Sequence, residues 1–225
     1  MKVVIINGSP RKNGATAKLL EQISLNLAHF SDVEIKYYHI SDFQLNFCKG
    51  CCKCYELGKC IMDDDIEKLS GQIAESDGLI IGTPVYASNI SAQLKLLIDR
   101  GHFVIEQLLK SKVTFAVVTY ENSGGSTALN VIKRLFLFSG SKYNLNMKVK
   151  IPFNQNPLQH EVIRNKLETC SRNFYYALTS IKTSYFRKLL QNIIFNIGIK
   201  PFVRSKGNKY AGVLNRWREL GIKIN

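Results

Sequence analysis

The sequence of 225 residues predicts a doubly wound α/β domain on a five-stranded parallel sheet. Three observations predict it. Short runs rich in Val and Ile alternate with helix-period segments along the chain, as a parallel sheet covered by helices on both faces requires. The first of these runs, Val3–Asn7, is apolar without alternation, the mark of a strand buried on both sides. Hydrophobic residues make up 45% of the chain, enough for a sizeable core.

The elements follow in order. After Val3–Asn7 comes a turn, then a helix from about Ala15 to Phe30 carrying Leu19, Leu20, Ile23 and Leu27 on one stripe. Val33–His39 alternates as a second strand. Phe47–Cys60 is a cysteine-rich loop. Asp63–Asp65 precede Ile66, Leu69 and Ile73, where carboxylates favour a helix N-terminus. Leu79–Gly82 is a third strand ending at Thr83-Pro84, and Ile90–Leu109 a long helix. Lys112–Thr119 is a fourth strand, Gly124–Phe138 a helix, Leu145–Ile151 a fifth strand and Leu158–Ile181 a helix. Residues 1–184 are read as one domain containing the loop 47–60. Residues 185–225 form a basic, partly helical C-terminal extension. Five strands in this alternation suggest the 2-1-3-4-5 order of flavodoxin-like folds, whose ligands sit beyond the carboxyl ends of the strands.

Gly8-Ser9-Pro10-Arg11-Lys12-Asn13-Gly14-Ala15-Thr16 joins the first strand to the first helix. Its glycines allow a tight turn and close backbone approach. Ser9, Asn13 and Thr16 can donate hydrogen bonds, the helix start offers free N–H groups, and Arg11 and Lys12 add charge. Together these suit a phosphate monoester. The run is neither G-x-G-x-x-G nor a Walker A loop, which disfavours an NTPase. Gly82–Asn89 leaves the third strand at the same sheet edge, with Pro84 to stiffen it and Tyr86 to pack on a planar ring.

These segments resemble a known group. Ile6–Thr16 is similar to the FMN-phosphate loop of the NAD(P)H-dependent FMN reductases among flavodoxin-like proteins. Gly82–Tyr86 resembles that group's second flavin loop, and Ala92-Gln93-Leu94-Lys95 with Asp99-Arg100 the helix after it; the likeness spans about residues 1–150. The resemblance implies FMN with its phosphate on Ser9, Arg11, Asn13, Gly14, Ala15 and Thr16. The ring would lie by Thr83, Pro84, Val85, Tyr86 and Asn89, with a third contact from Tyr120, Gly124 and Gly125. It also implies NAD(P)H as donor, a quinone, flavin or similar small molecule as acceptor, and a homodimer or homotetramer that brings a neighbour's loop close to the flavin. No catalytic acid or base is assigned, because the cofactor carries the chemistry. Asp99-Arg100 is read as a surface or interface ion pair.

Five of six cysteines fall between Cys48 and Cys60. Skipping Cys52, they read C-x2-C-x2-C-x5-C, a spacing that can wrap one metal or one [4Fe–4S] cube, with Lys49, Lys53 and Lys59 offsetting thiolate charge. Zinc and free or disulfide-switching thiols remain alternatives, and Cys51 or Cys52 could be the second ligand. The segment resembles the motif of iron-sulfur flavoproteins, which implies Cys48, Cys51, Cys54 and Cys60 as ligands and a ferredoxin-like electron partner. Cys170 is read as a core residue, and His29, His39, His102 and His160 as structural or surface residues.

The net charge is +14, of which +9 falls between Ser180 and Asn225. The basic segment from Tyr185 to Phe195 could lie on an anionic membrane. Packing on its own domain or on a second subunit is the preferred reading. Nucleic acid is not expected, since no aromatic–basic interleaving suits base stacking. No apolar run approaches ~20 residues, so no membrane span is predicted. The apolar start is too short for a signal peptide, so a cytoplasmic location is expected.

Overall fold

The computed structural model describes residues 1–180 and 182–224. Ile181, the last residue of the helix expected over 158–181, and Asn225, the end of the basic extension, lie outside the described residues. Strand β1 (Lys2–Asn7) leads to α1 (Ala15–Ala28), β2 (Glu34–His39), the short α2 (Lys53–Leu57) and α3 (Ile66–Glu75). Then come β3 (Gly78–Tyr86), β4 (Asn89–Ile90), α4 (Ala92–Arg100), β5 (Val113–Tyr120), α5 (Gly125–Phe138), β6 (Tyr143–Lys150) and α6 (Glu161–Thr179). The sheet order is β2-β1-β3-β5-β6, all parallel, with β4 added antiparallel on the end of β3. The five main strands therefore take the flavodoxin-like order, with its switch point beside β1.

Two apolar layers cover the sheet, and β1 shows why. Val3 and Ile5 face one layer with Leu19, Leu20, Ile23 and Leu27 of α1 and Leu167 and Phe174 of α6. Val4 and Ile6 face the other, with Ile66, Leu69 and Ile73 of α3, Leu94 and Leu97 of α4, and Ile132 and Phe136 of α5. Side chains two apart along a strand share a face, so a run of apolar residues supplies both layers at once.

The expected long helix over 90–109 is corrected. Ser91 caps α4, its Oγ accepting from Leu94 N–H at 3.2 Å, and Ile90 belongs to β4. The helix stops at Gly101, where a Cβ would lie 2.4 Å from the Phe103 ring, and His102 follows with φ +52°. Phe103, Leu108 and Leu109 are buried, so their helix-like spacing belongs to a compact turn. β3 also runs past Thr83-Pro84, because Val85 and Tyr86 pair with β4 across Ala87 and Ser88, which both hold positive φ.

Past α6 the chain continues through α7 (Tyr185–Ile193), a π-helical stretch (Ile194–Ile199), α8 (Lys200–Ser205) and α9 (Ala211–Glu219). Arg187 donates to Ser141 O at 2.8 Å, Ser141 Oγ at 2.7 Å and Asn144 Oδ1 at 2.5 Å. Val203, Tyr210, Val213 and Trp217 form a third apolar cluster, against which Tyr55 of α2 packs. Tyr55 stacks on Tyr210 with ring centroids 4.8 Å apart, and Trp217 Nε1–H donates to Ile105 O at 2.9 Å. The basic tail thus folds back onto the cysteine loop. None of the described helices is long and apolar enough to cross a membrane.

The closest point of that packing is Gly212, where a Cβ would stand 2.1 Å from Gly58 N. Gly212→Val should therefore lower stability by about 1–3 kcal/mol, the usual cost of overpacking, and raise proteolysis of the loop 47–60 first. Urea melts combined with limited proteolysis check this; wild-type behaviour in both would contradict the packing role.

Candidate functional site

Two sites emerge. The first is a cleft of about 340 Å3 at the carboxyl edge of the sheet. Gly8 lets β1 turn sharply beneath it: a Cβ there would lie 2.9 Å from both Gly82 O and Leu94 Cβ, and Gly8 N–H donates to Gly82 O at 2.8 Å. Ser9 N–H donates to Asn7 Oδ1 at 3.0 Å, and Arg11 N–H to Ser9 Oγ at 3.1 Å. The loop is thereby fixed by its own side chains. α1 starts at Gly14 with no side-chain cap and no acidic residue in its first turn. Its leading N–H groups and the positive end of its dipole are left for an anion.

Ser9, Arg11, Asn13, Gly14, Ala15 and Thr16 all line the cleft, and so do Pro84, Val85, Tyr86 and Tyr120. Thr83, Asn89, Gly124 and Gly125 do not. Thr83 Oγ1 is buried, accepting from Ser91 N–H at 3.1 Å. Asn89 Oδ1 accepts from Ile90 N–H at 2.8 Å. Gly124 has φ +82° against Ser88, and a Cβ on Gly125 would meet the Tyr120 ring at 2.6 Å. Those glycines let α5 approach its neighbours, and only Tyr120 of that trio reaches the cleft.

Sequence reasoning missed the opposite wall, Ile151–Gln155. Arg11 donates to Asn154 Oδ1 at 2.6 Å and lies 4.7 Å from the Phe153 ring centre, and Phe153 N–H donates to Glu121 Oε1 at 3.2 Å. The signal was positional: this loop leaves the last strand at the same edge as the other three.

The second site is a cavity of about 80 Å3 lined by Cys48, Cys51, Cys52, Cys54 and Cys60, with Arg100 and His102 in its wall. Among the described residues, no three His, Cys, Asp or Glu side chains are close enough to hold a single metal ion. Arg100 is not a surface residue. Asp99 pairs with Lys95 on the exposed side of α4, and its neighbour, about 100° round the helix, turns inward. Arg100 and Asp64 form an ion pair whose side chains are each only 1% exposed. Its guanidinium donates to Asp64 at 2.8 and 3.0 Å, to Asn46 O at 2.5 Å and to Cys60 Sγ at 3.2 Å, while its buried Nε–H has no partner among the described residues. The donor set, five thiols beside a guanidinium with a spare N–H, fits an anionic thiolate-ligated centre.

Of the four histidines, His102 lies in the wall of this cavity. It reaches the cavity wall beside Cys54 because Gly101 ends α4, and it pairs with Glu106 at 3.0 Å. Burial pushes the imidazole pKa down, but the Cys54 and Glu106 contacts outweigh this and raise it to about 10. No spacing in the sequence signals this residue. Cys170 packs partly buried on the α1–α6 layer.

A parallel sheet in this order, with an uncapped helix start under the first loop and an aromatic wall on the third strand, defines a flavodoxin-like protein. Residues 1–152 match the family described as NADPH-dependent FMN reductase. The chain is 38% identical to an iron-sulfur flavoprotein of Clostridioides difficile (strain 630), over 99% of this chain and 100% of the relative. It is 39% identical to an iron-sulfur flavoprotein of Methanocaldococcus jannaschii, over 61% of this chain and 72% of the relative. An apo-form NADH:FMN oxidoreductase superposes with a TM-score of 0.63 at 22% identity, covering 80% of this chain and 91% of that one. The chain belongs to the NADPH-dependent FMN reductase family, in its iron-sulfur flavoprotein group, and is a flavin-dependent oxidoreductase.

Burial pushes the Asp64 carboxyl up, but Arg100 and the backbone N–H groups of Asn46 and Ile66 outweigh it and hold it well below the usual carboxylate range. Asp64→Asn leaves Arg100 buried and unpaired, an expected loss of about 3–5 kcal/mol at neutral pH. A carboxyl lowered on folding stabilises above its unfolded pKa of about 4, and that contribution is lost as pH falls through the folded value. The gap between wild type and Asp64→Asn in urea melts should thus narrow between pH 7 and pH 3. A gap of constant size would contradict the assignment.

Proposed function

We propose that the chain binds FMN in the 340 Å3 cleft and passes reducing equivalents from NAD(P)H to a small-molecule acceptor such as a quinone or free flavin. The observation that carries this is the start of α1, uncapped and free of acidic residues, opening beside Ser9, Arg11 and Asn13. When bound, FMN supplies the hydride and one-electron chemistry. The chain supplies placement. Ser9 Oγ accepts from Arg11 N–H, so its own proton is available to an anion in the cleft. Asn13 and the N–H groups after Gly14 complete the phosphate site. Thr16 is held by Thr119 through a 2.7 Å hydroxyl contact that fixes the floor. Pro84, Val85, Tyr86 and Tyr120 would wall the ring, and Ile151, Pro152 and Phe153 exclude water from the other side. Arg11, braced by Asn154 and Phe153, keeps a positive charge at the phosphate end.

The cysteine cavity favours a second reading alongside the first. Cys48, Cys51, Cys54 and Cys60 would hold a [4Fe–4S] cluster, and the chain would exchange single electrons with a ferredoxin-like protein. Four cysteine thiols around one cavity match the four corners of such a cube. The names of the relatives support it. A homodimer or homotetramer, bringing a neighbour's loop to the flavin, and a reducing cytoplasm that keeps thiols free both belong to this proposal.

The test is anaerobic purification followed by spectra and kinetics. Twin flavin bands are expected, with a broad shoulder near ~400 nm if the cluster is present. Ser9→Ala and Arg11→Ala should each weaken FMN by about ten- to a hundredfold, the worth of one hydrogen bond to a charged group. Fast NAD(P)H oxidation with a quinone supports the reductase, and slow turnover with rapid ferredoxin exchange supports the carrier. A colourless protein that ignores added FMN would overturn both.

A further inference from the structure

We infer that Arg100 is a positioning residue for the thiolate centre, closing the cysteine loop at both ends and donating to Cys60 Sγ so that the centre is easier to reduce. The inference rests on the reading of Cys48, Cys51, Cys54 and Cys60 as ligands of an iron–sulfur cluster.

Four contacts of one side chain carry it. Asn46 stands just before the loop and Asp64 just after it, and the Arg100 guanidinium bonds both, at 2.5 Å to Asn46 O and at 2.8 and 3.0 Å to the Asp64 carboxylate. Asn46 N–H also donates to Asp64 Oδ2 at 2.9 Å, so the two ends are tied to one point. From that point the second guanidinium nitrogen reaches Cys60 Sγ at 3.2 Å. The Arg100 side chain lines the same cavity, and among the described residues its buried Nε–H has no partner. A buried N–H without an acceptor is costly, and an anionic sulfur centre in the cavity would supply one. His102, paired with Glu106 at 3.0 Å, lines the same cavity as Cys54.

The direction of the effect follows from charge. Reduction adds one electron to the centre; no bond forms or breaks, and Arg100 keeps its proton throughout. A hydrogen bond donated to a ligand sulfur stabilises the more negative state more, which raises the reduction potential. Asp64 neutralises the guanidinium charge at longer range, so the local N–H···S donation is the part that acts on the centre.

Arg100→Lys keeps the charge and loses the planar fork. The pair Asp64→Asn with Arg100→Gln removes both charges, so that neither is left buried alone. Each is compared with wild type as anaerobically purified holoprotein, by iron and sulfide content and by dye-mediated redox titration read by EPR. Wild type is expected to hold a [4Fe–4S] complement. In variants that keep it, one-electron reduction should be about tenfold less favourable, about 59 mV more negative, with the flavin potential unmoved. Loss of the cluster with FMN still bound also supports the positioning role. Full cluster content at the wild-type potential in both variants would overturn it, as would loss of cluster and FMN together. Wild type lacking iron would instead remove the ligand reading on which the inference stands.

Discussion

The N-terminus of α1 has backbone donors with no partner in its own helix, and its N-cap, Gly14, has no side chain to cap them. Such groups cost free energy if they are buried dry. The first site is built around that constraint. Gly8 brings β1 under Gly82, Ser9 and Asn7 lock the turn, and the switch point of the strand order keeps neighbouring helices from covering the opening. The cleft is apolar and aromatic away from this corner and polar at it, the division expected of a site for a ring that carries a phosphate.

The second centre depends on different physics. A loop of small and charged residues cannot order itself by burial, since Cys48, Cys51 and Cys52 are exposed. It is held from outside instead. Arg100 and Asp64 tie its ends from beneath α4, while Trp217, Tyr210 and Gly212 clamp α2 from the tail. The charged extension therefore acts on the structure through its few apolar residues, while most of its cations stay in water.

The sheet and the phosphate loop were legible because their signals are local. Val3–Asn7 carries its own burial pattern, and Ser9 to Thr16 lie next to one another on a strand-to-helix turn. What escaped was set by tertiary contact. Ile90 to Leu109 carries helix-like spacing, but Gly101 and the positive φ of His102 break it. Arg100 looked like a surface partner of Asp99 because its true partner, Asp64, lies 36 residues away. Ile151–Gln155 has no motif, only a place at the right edge of the sheet. His102 had no spacing at all to mark it. Trp217 and Gly212 sit in a segment whose composition speaks of charge, and the core they build with Tyr55 spans more than 150 residues.

The most direct measurement is a calorimetric comparison of FMN with riboflavin, which shares the ring and lacks the phosphate, on the flavin-free protein at two salt concentrations. The account predicts that FMN binds at least about tenfold more tightly, from one or more charge-assisted hydrogen bonds, and that the advantage shrinks with salt. Equal affinities, insensitive to salt, would contradict it.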